Sequence, residues 1–311
     1  MNKRPLGRTG IRIAPLVFGG NVFGWTADKA TSHAMLDRFV AAGLDAVDTA
    51  DVYSRWVAGN QGGESETIIG EWLAASPGRR NEVVIITKVG SDGGLAPKRV
   101  LAAADGSLRR LRTDRIDVYL AHKPDPETPI EETLRAFETL IAQGKVRAIG
   151  SSNDTADQLR HALDIAAKAG LPRYEVHQPE YNLYDRASYE GPLRDLCIAE
   201  GLGVITYYSL ASGFLTGKYR STADLSRSAR GAAVKRYLDE RGMRILAALD
   251  EVARAHAAQP AEVALAWLMA REGVTAPIAS ATSVEQLESL VRATQLELAP
   301  EEHAFLTAAS D

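Results

Sequence analysis

Among its 311 residues the chain has a single cysteine, Cys197, which excludes an intramolecular disulfide and a cysteine zinc site. It lacks any apolar run approaching the roughly 20 residues of a membrane-spanning helix. The opening MNKRPLGRTG carries charge, but no apolar segment of signal-peptide type follows it. A basic excess is missing too. Against 40 Asp and Glu stand 36 Lys and Arg, a net charge of −4, so there is no positive footprint for nucleic acid. No G-x-G-x-x-G follows the first apolar run, which removes the fingerprint of an open dinucleotide-binding sheet. No Pro/Gly-rich linker, composition break or short repeat divides the chain. The default expectation is one cytoplasmic domain spanning 1–311, without metal, membrane or nucleic-acid partners. Oligomeric state leaves no readable trace.

What is present is alternation. Eight short apolar runs read as strands: LVFG from Leu16, DAVDT from Asp45, VVIIT from Val83, IDVYLA from Ile116, VRAIG from Val146, YEVHQ from Tyr174, VITYY from Val204 and APIAS from Ala276. Amphipathic helical stretches separate them, among them ESETIIGEWLAA, IEETLRAFETLIAQG and VEQLESLVRAT. Thr128, Pro129 and Glu131 fit N-cap, N1 and N3 of one helix, and Gly144 fits its stop. Eight strands alternating with helices at this length predict a (β/α)8 TIM barrel. The segment around Gly7–Gly10 predicts an N-terminal β-hairpin closing the barrel bottom. Two long loops, NVFGWTADKA and SRWVAGNQGG, stand over the expected site. RSTADLSRSARGAAVKRY, after Tyr219, fits either a mobile lid or a solvated loop.

Catalytic groups of such barrels gather where strands end. Those positions hold Asp48 and Tyr53, Lys88, His122, Ser151 to Asn153, Gln178, and Tyr207 to Ser209. The chemistry they suit is proton transfer to a carbonyl. A tyrosine with a pKa near 10 donates a proton at neutral pH. A neighbouring lysine ammonium stabilises the phenolate and lowers that pKa, while a carboxylate such as Asp48 keeps the buried lysine charged. A histidine can hydrogen-bond the substrate oxygen and help hold it in place. Something must also supply hydride, and no side chain does, so a nicotinamide cofactor is implied.

In chain order, DTADVY, TK, LAHKPD, GSSN, QPEYN and YSL follow the D-T-A-x-x-Y, T-K, L-H-x-P-D, G-x-S-N, Q-x-x-Y-N and Y-S-L patterns of the aldo-keto reductases. The chain resembles that family over nearly its whole length. LASGFLTGKYR and ASATSVEQLE make it more similar to bacterial members that resemble potassium-channel β-subunits than to the aldose-reductase branch. The resemblance implies a catalytic tetrad of Asp48, Tyr53, Lys88 and His122. It implies nicotinamide contacts from Ser152, Asn153 and Gln178, a stacking ring from Tyr208, and pyrophosphate contacts from Ser209, Leu210 and Ser212. It also implies that Ser280, Thr282 and Gln286 reach the cofactor, the last two near an adenosine 2′-phosphate. The Lys or Arg that relatives often carry in that segment is missing, and Leu290 stands where many carry Asn. Lys218 together with Arg227 or Arg230 is expected to balance the phosphate charge. NADP(H) is favoured and NAD(H) stays open.

Several features have plainer readings. GFLTGKY imitates a phosphate loop but is one residue short between its glycines, and Tyr219 replaces the magnesium-binding hydroxyl, which removes an NTPase. Lys218 is left between a cofactor phosphate and a solvated surface. Ser283 to Gln286 also reads as a capping box. Asp51 fits a cap or a solvated loop better than a second catalytic acid. Tyr207, by strand alternation, is expected to face the helices, as is His177. Trp25, Trp56 and Phe214 are candidate apolar walls for a small carbonyl or alcohol substrate. The leading function is an NAD(P)(H)-dependent oxidoreductase, with a cofactor-binding regulatory subunit of little turnover as the alternative. A glycosidase using Asp51 and Glu180 ranks last, because it leaves Lys88 and Tyr53 without a role.

Overall fold

The computed structural model describes residues 2–311. A two-stranded antiparallel hairpin, β1 (Arg4–Pro5) and β2 (Arg12–Ile13), precedes the barrel strands β3 (Val17–Gly19), β4 (Ala46–Asp48), β5 (Val84–Val89) and β6 (Ile116–Ala121). The barrel continues with β7 (Val146–Ser152), β8 (Val176–Gln178), β9 (Gly203–Thr206) and β10 (Ala276–Ala279). All eight barrel strands pair in parallel, each with its neighbours in the chain, and β10 pairs with both β9 and β3 to close the ring. Each of the eight apolar runs is therefore a strand. They read as continuous because a parallel strand is buried on both faces.

Around the ring lie α1 (Lys29–Ala41), α2 (Glu64–Ala74), α3 (Pro97–Leu111), α4 (Ile130–Ala142), α5 (Ala156–Ala169) and α6 (Pro192–Ala199). The short α7 (Gly231–Val234) is followed by α8 (Glu240–Ala255), α9 (Pro260–Met269), α10 (Val284–Ala293) and α11 (Pro300–Ala309). One apolar core fills the space between strands and helices. A second fills the barrel itself, where Val17, Ala46, Ile86, Val118, Val176 and Ile205 meet Leu6, Ile11 and Ile13 of the hairpin. The hairpin thus closes the bottom of the barrel. Arg4 fastens it by donating to the carbonyls of Met269 and Thr275, and the Asp45 carboxylate accepts from the Ala14 amide.

Two helix starts differ from expectation. The N-cap of α4 is Pro129, one residue later than expected, and no side chain caps this helix start. At α10 the Ser283 hydroxyl does accept from the Gln286 amide. The Gln286 side chain, however, reaches back past Ser283 to the amide and hydroxyl of Thr282, so only half the capping box forms. The segment after Tyr219 is folded into short helical turns around α7. Tyr237 stacks on Phe214, and the Ser228 hydroxyl pairs with Tyr219.

Candidate active site

A cavity of about 710 Å³ opens over the C-terminal ends of the strands, a size that suits a small-molecule ligand. Asp48 is the only carboxylate lining it among the described residues. It ends β4 beside Ile86 of β5, so the register of two parallel strands brings its side chain to Lys88, two residues further along. The Lys88 side chain is fully buried beneath Asp48 and Tyr53, which line the cavity. Its Nζ donates to Asp48 Oδ2 at 2.7 Å, to the Thr49 carbonyl at 2.8 Å and to Tyr53 Oη at 2.8 Å. Tyr53 Oη in turn donates to Asp48 Oδ2 at 3.2 Å. Three groups from two strand ends therefore share one hydrogen-bonded cluster, and the tetrad's fourth member, His122, packs its ring edge-on to Tyr53 with 6.0 Å between centroids.

The electrostatics of this cluster differ in one respect from the sequence expectation. Burial and the adjacent Asp48 charge raise the Tyr53 pKa well above its ordinary value rather than lowering it. The phenol is thereby held protonated, the form a proton donor needs. Burial pulls the Lys88 pKa down while Asp48 opposes that pull. His122 falls to about 3 through burial, reinforced by Lys88 and Lys123, so its imidazole is neutral at physiological pH. Its Nδ1 is buried without a partner in the chain, a polar atom still to be satisfied.

The expected nicotinamide contacts all reach the cavity, and they are wired to the tetrad and to one another. Gln178 Nε2 donates to Asp48 Oδ1 at 2.9 Å, and the Ser152 hydroxyl donates to the Gln178 carbonyl at 2.8 Å. Asn153, at φ 67°, donates to the His122 carbonyl and accepts at Oδ1 from Tyr207 Oη at 2.7 Å. Tyr207 thus lines the cavity instead of facing the helices. The two-residue period that argued otherwise stops with β9 at Thr206, and Tyr208 then takes a left-handed φ of 52°. Tyr208 presents a ring that is 46% exposed at the cavity edge.

Beyond Tyr208 the chain turns through Leu210 (φ −109°), Ala211 (φ 48°), Ser212 (φ 57°) and Gly213 (φ 96°). The turn is tied by its own hydrogen bonds, from the Ala211 amide to the Tyr208 carbonyl at 2.7 Å and from the Gly213 amide to the Leu210 carbonyl at 2.8 Å. A side chain added at Gly213 would sit 3.7 Å from Lys218 Nζ, so the ammonium overhangs this turn. With Ser209, Ser212 and the Lys218 ammonium lining the cavity here, the residues present suit an anionic group such as a pyrophosphate. The Ser209 hydroxyl is turned inward to the Thr206 carbonyl, while Leu210 and Ser212 line the cavity. At the far end Ser280, Thr282 and Gln286 line it as well.

The structure does not bring every candidate together. Phe214 is fully buried against Tyr237 and is core, not wall. Trp56 lines the cavity; Trp25 lies behind it, edge-on at 5.6 Å. Arg227 bonds Asp224 and the Lys218 carbonyl and stays outside, whereas Arg230 lines the cavity. Asp51 is neither a cap nor a solvated residue. Its Oδ1 is buried without a partner, and burial followed by the Glu66 charge lifts its pKa to about 6. His177 is fully buried beside Ser151 and Asp154. Cavity residues that escaped the sequence reading include Asn21, Lys123 and Ser289. Asn21 and Lys123 directly follow strand ends and the same rule would have found them; Ser289 lies inside α10, and no sequence signal marks it.

A tyrosine hydrogen-bonded to a buried Lys–Asp pair stands in the mouth of a β/α barrel, beside a cavity of small-molecule size. The sequence profile of the aldo/keto reductase family matches residues 15–311, and the chain belongs to that family. It is 36% identical over 307 residues to the uncharacterized oxidoreductase YrpG of Bacillus subtilis, covering 94% of this chain and 91% of that protein. To a probable voltage-gated potassium channel subunit beta of Oryza sativa subsp. japonica it is 33% identical over 306 residues, with the same coverage. To protein tas of Escherichia coli it is 31% identical over 318 residues, 93% of this chain and 91% of that one.

Proposed function

We propose that the chain is a nicotinamide-dependent oxidoreductase that interconverts aldehydes or ketones, including sugar-type carbonyls, and alcohols. The observation that carries this reading is Lys88 Nζ bridging Asp48 and Tyr53 at 2.7 and 2.8 Å, with both partners lining the cavity. A bound nicotinamide supplies the hydride acceptor or donor that no side chain provides. Tyr53 Oη delivers the proton to the carbonyl oxygen, and Lys88 neutralises the phenolate left behind. Asp48 keeps Lys88 charged and, through Gln178, ties the proton donor to the nicotinamide contacts. Neutral His122 offers a ring N–H to the substrate oxygen and fixes its position. Asp51 and Glu180 take no part, since neither lines the cavity.

Tyr208 is the stacking platform for the nicotinamide, and the 208–213 turn with Lys218 the cradle for the pyrophosphate. Thr282 and Gln286, at the start of α10, are assigned to the adenosine end, where a helix N-terminus favours an anion. NADP(H) is the favoured cofactor and NAD(H) the alternative, because Arg292 of α10 is paired with Glu262 and adds no free cation. We place the protein in the cytoplasm; no helix among the described residues is long and apolar enough to cross a membrane.

A second reading, a cofactor-binding regulatory subunit with little turnover, is favoured by the similarity to the rice protein named as a channel subunit beta. Titration of NADPH and NADH by tryptophan quenching, followed by a carbonyl panel with the tighter cofactor, separates the two. The enzyme reading expects tight cofactor binding and turnover of several aldehydes. Tight binding with no loss of reduced-cofactor absorbance on any carbonyl supports the regulatory reading, and no binding of either cofactor defeats both.

A further inference from the structure

The two strands that carry the assigned nicotinamide contacts have a second face. Ser152, Asn153 and Gln178 line the cavity. Side chains alternate along a strand, so Ser151 and His177, paired across β7 and β8 one residue earlier, turn away from it. Asp154, the residue after Asn153, joins them there. Its Oδ2 lies 4.0 Å from His177 Nδ1, and the Ser151 hydroxyl lies 3.2 Å from the same nitrogen. Each member of this cluster is therefore the chain neighbour of a nicotinamide contact: Ser151 of Ser152, Asp154 of Asn153, and His177 of Gln178.

The cluster holds a carboxylate with nothing to neutralise it. Asp154 Oδ2 and His177 Nε2 are both buried without a hydrogen-bond partner. The His177 side chain is fully buried, and that of Asp154 is 11% exposed. Among the described residues His177, from β8, is the only basic side chain within ion-pair reach of Asp154. Tyr174, just before β8, is the other titratable group against it, and burial followed by the Asp154 charge keeps that phenol protonated. Burial lifts the Asp154 pKa to about 6 and drops that of His177 to about 4. Between those values both groups are neutral. Above about 6 Asp154 ionises while His177 stays neutral, so the cluster gains one negative charge that no cation balances. Salt screens a buried charge weakly.

An oxidised nicotinamide ring carries a positive charge, and a reduced ring carries none. A negative charge one residue behind the ring's contacts attracts the first and is indifferent to the second. We propose that Asp154 is a redox-selecting residue: its carboxylate, behind the wall that holds the ring, favours the oxidised, cationic cofactor over the reduced one. This rests on the nicotinamide assignment above. By linkage, bound oxidised cofactor favours the ionised Asp154 to the same extent.

The test titrates NADP+ and NADPH separately, by tryptophan fluorescence, into the parent and Asp154→Asn at about pH 5 and about pH 8. Both cofactors carry the same phosphates, so the ratio of their Kd values cancels phosphate ionisation. In the parent, Kd for NADP+ divided by Kd for NADPH should fall by about threefold or more from the lower pH to the higher. In Asp154→Asn, which keeps the shape and removes the charge, it should change by less than about 1.5-fold. A control ligand, 2′-phospho-ADP-ribose, lacks the nicotinamide and should bind parent and variant within about twofold. The NAD pair and ADP-ribose replace these ligands if NAD(H) binds more tightly, and Asp154→Ser replaces the variant if Asp154→Asn does not fold. A ratio that does not move with pH in a parent that binds both cofactors overturns the proposal and leaves the oxidoreductase reading standing. So does an undiminished fall in the variant, which assigns the effect to another group such as Asp51. Weakening of the control ligand to the same extent as NADP+ overturns it too, because the loss is then structural. The expected fall without turnover of any carbonyl supports the proposal while the oxidoreductase reading falls. Absence of binding by every cofactor overturns both.

Discussion

Asp51 sits three residues from Asp48, yet the two carboxylates live in different physical worlds. Asp48 faces the cavity with Lys88, Tyr53 and Gln178 on its oxygens. Asp51 has one oxygen buried without a partner, within reach of the charges of Glu66, Arg110, Arg99 and Lys88. Because burial lifts its pKa to about 6, above the ordinary carboxylate value, the folded chain holds this proton more tightly than the unfolded chain does. The sign follows directly: its stabilising contribution is present at low pH and is lost as pH rises through about 6. Asp51→Asn removes the charge that burial penalises. Relative to the parent, the variant should gain about 1–2 kcal/mol on going from about pH 5 to about pH 8, read as a rise in relative Tm. A Tm difference that does not move with pH contradicts this account of Asp51. The D-T-A-x-x-Y pattern marks Asp48 alone, but nothing in DTADVY foretells the burial of Asp51, because burial of a loop carboxylate depends on α2 and α3, which arrive later in the chain.

At the scale of elements, the eight strands were legible because parallel strands are buried on both faces and so read as unbroken apolar runs. Their ends were legible too, and with them Asp48, Lys88, His122 and Gln178. Legibility stopped where the chain left its regular period. The alternation that was expected to turn Tyr207 outward does not extend past Thr206, and the left-handed residues 208 and 211–213 redirect every side chain after it. Phe214 looked like a loop aromatic because its stacking partner, Tyr237, lies outside any local pattern. The hairpin at the barrel bottom makes its own testable claim. Gly7 has φ 58°, and a Cβ there would sit 2.3 Å from the Glu175 carbonyl oxygen and 2.7 Å from the Gly203 nitrogen. Gly7→Ala must displace the plug from the starts of β8 and β9. It should cost about 2 kcal/mol or more, seen as a lowered Tm, with kcat of the folded fraction unchanged because the chemistry lies at the opposite end. An unchanged Tm would mean that the hairpin does not bear on the barrel as described.

Across the whole molecule, stability and chemistry occupy opposite ends of one barrel. The bottom is apolar and sealed by Leu6, Ile11 and Ile13; the top is polar, carries unpaired cations and opens into the cavity. The central claim is that this top delivers a proton through Tyr53 to a carbonyl. The most direct measurement compares the parent with Tyr53→Phe, following loss of reduced-cofactor absorbance on an aldehyde together with cofactor affinity by fluorescence titration. Removing one hydroxyl should lower kcat by about a hundredfold or more, the usual worth of a positioned general acid, and leave cofactor affinity within about twofold. Full turnover by Tyr53→Phe on every carbonyl that the parent reduces would contradict the account.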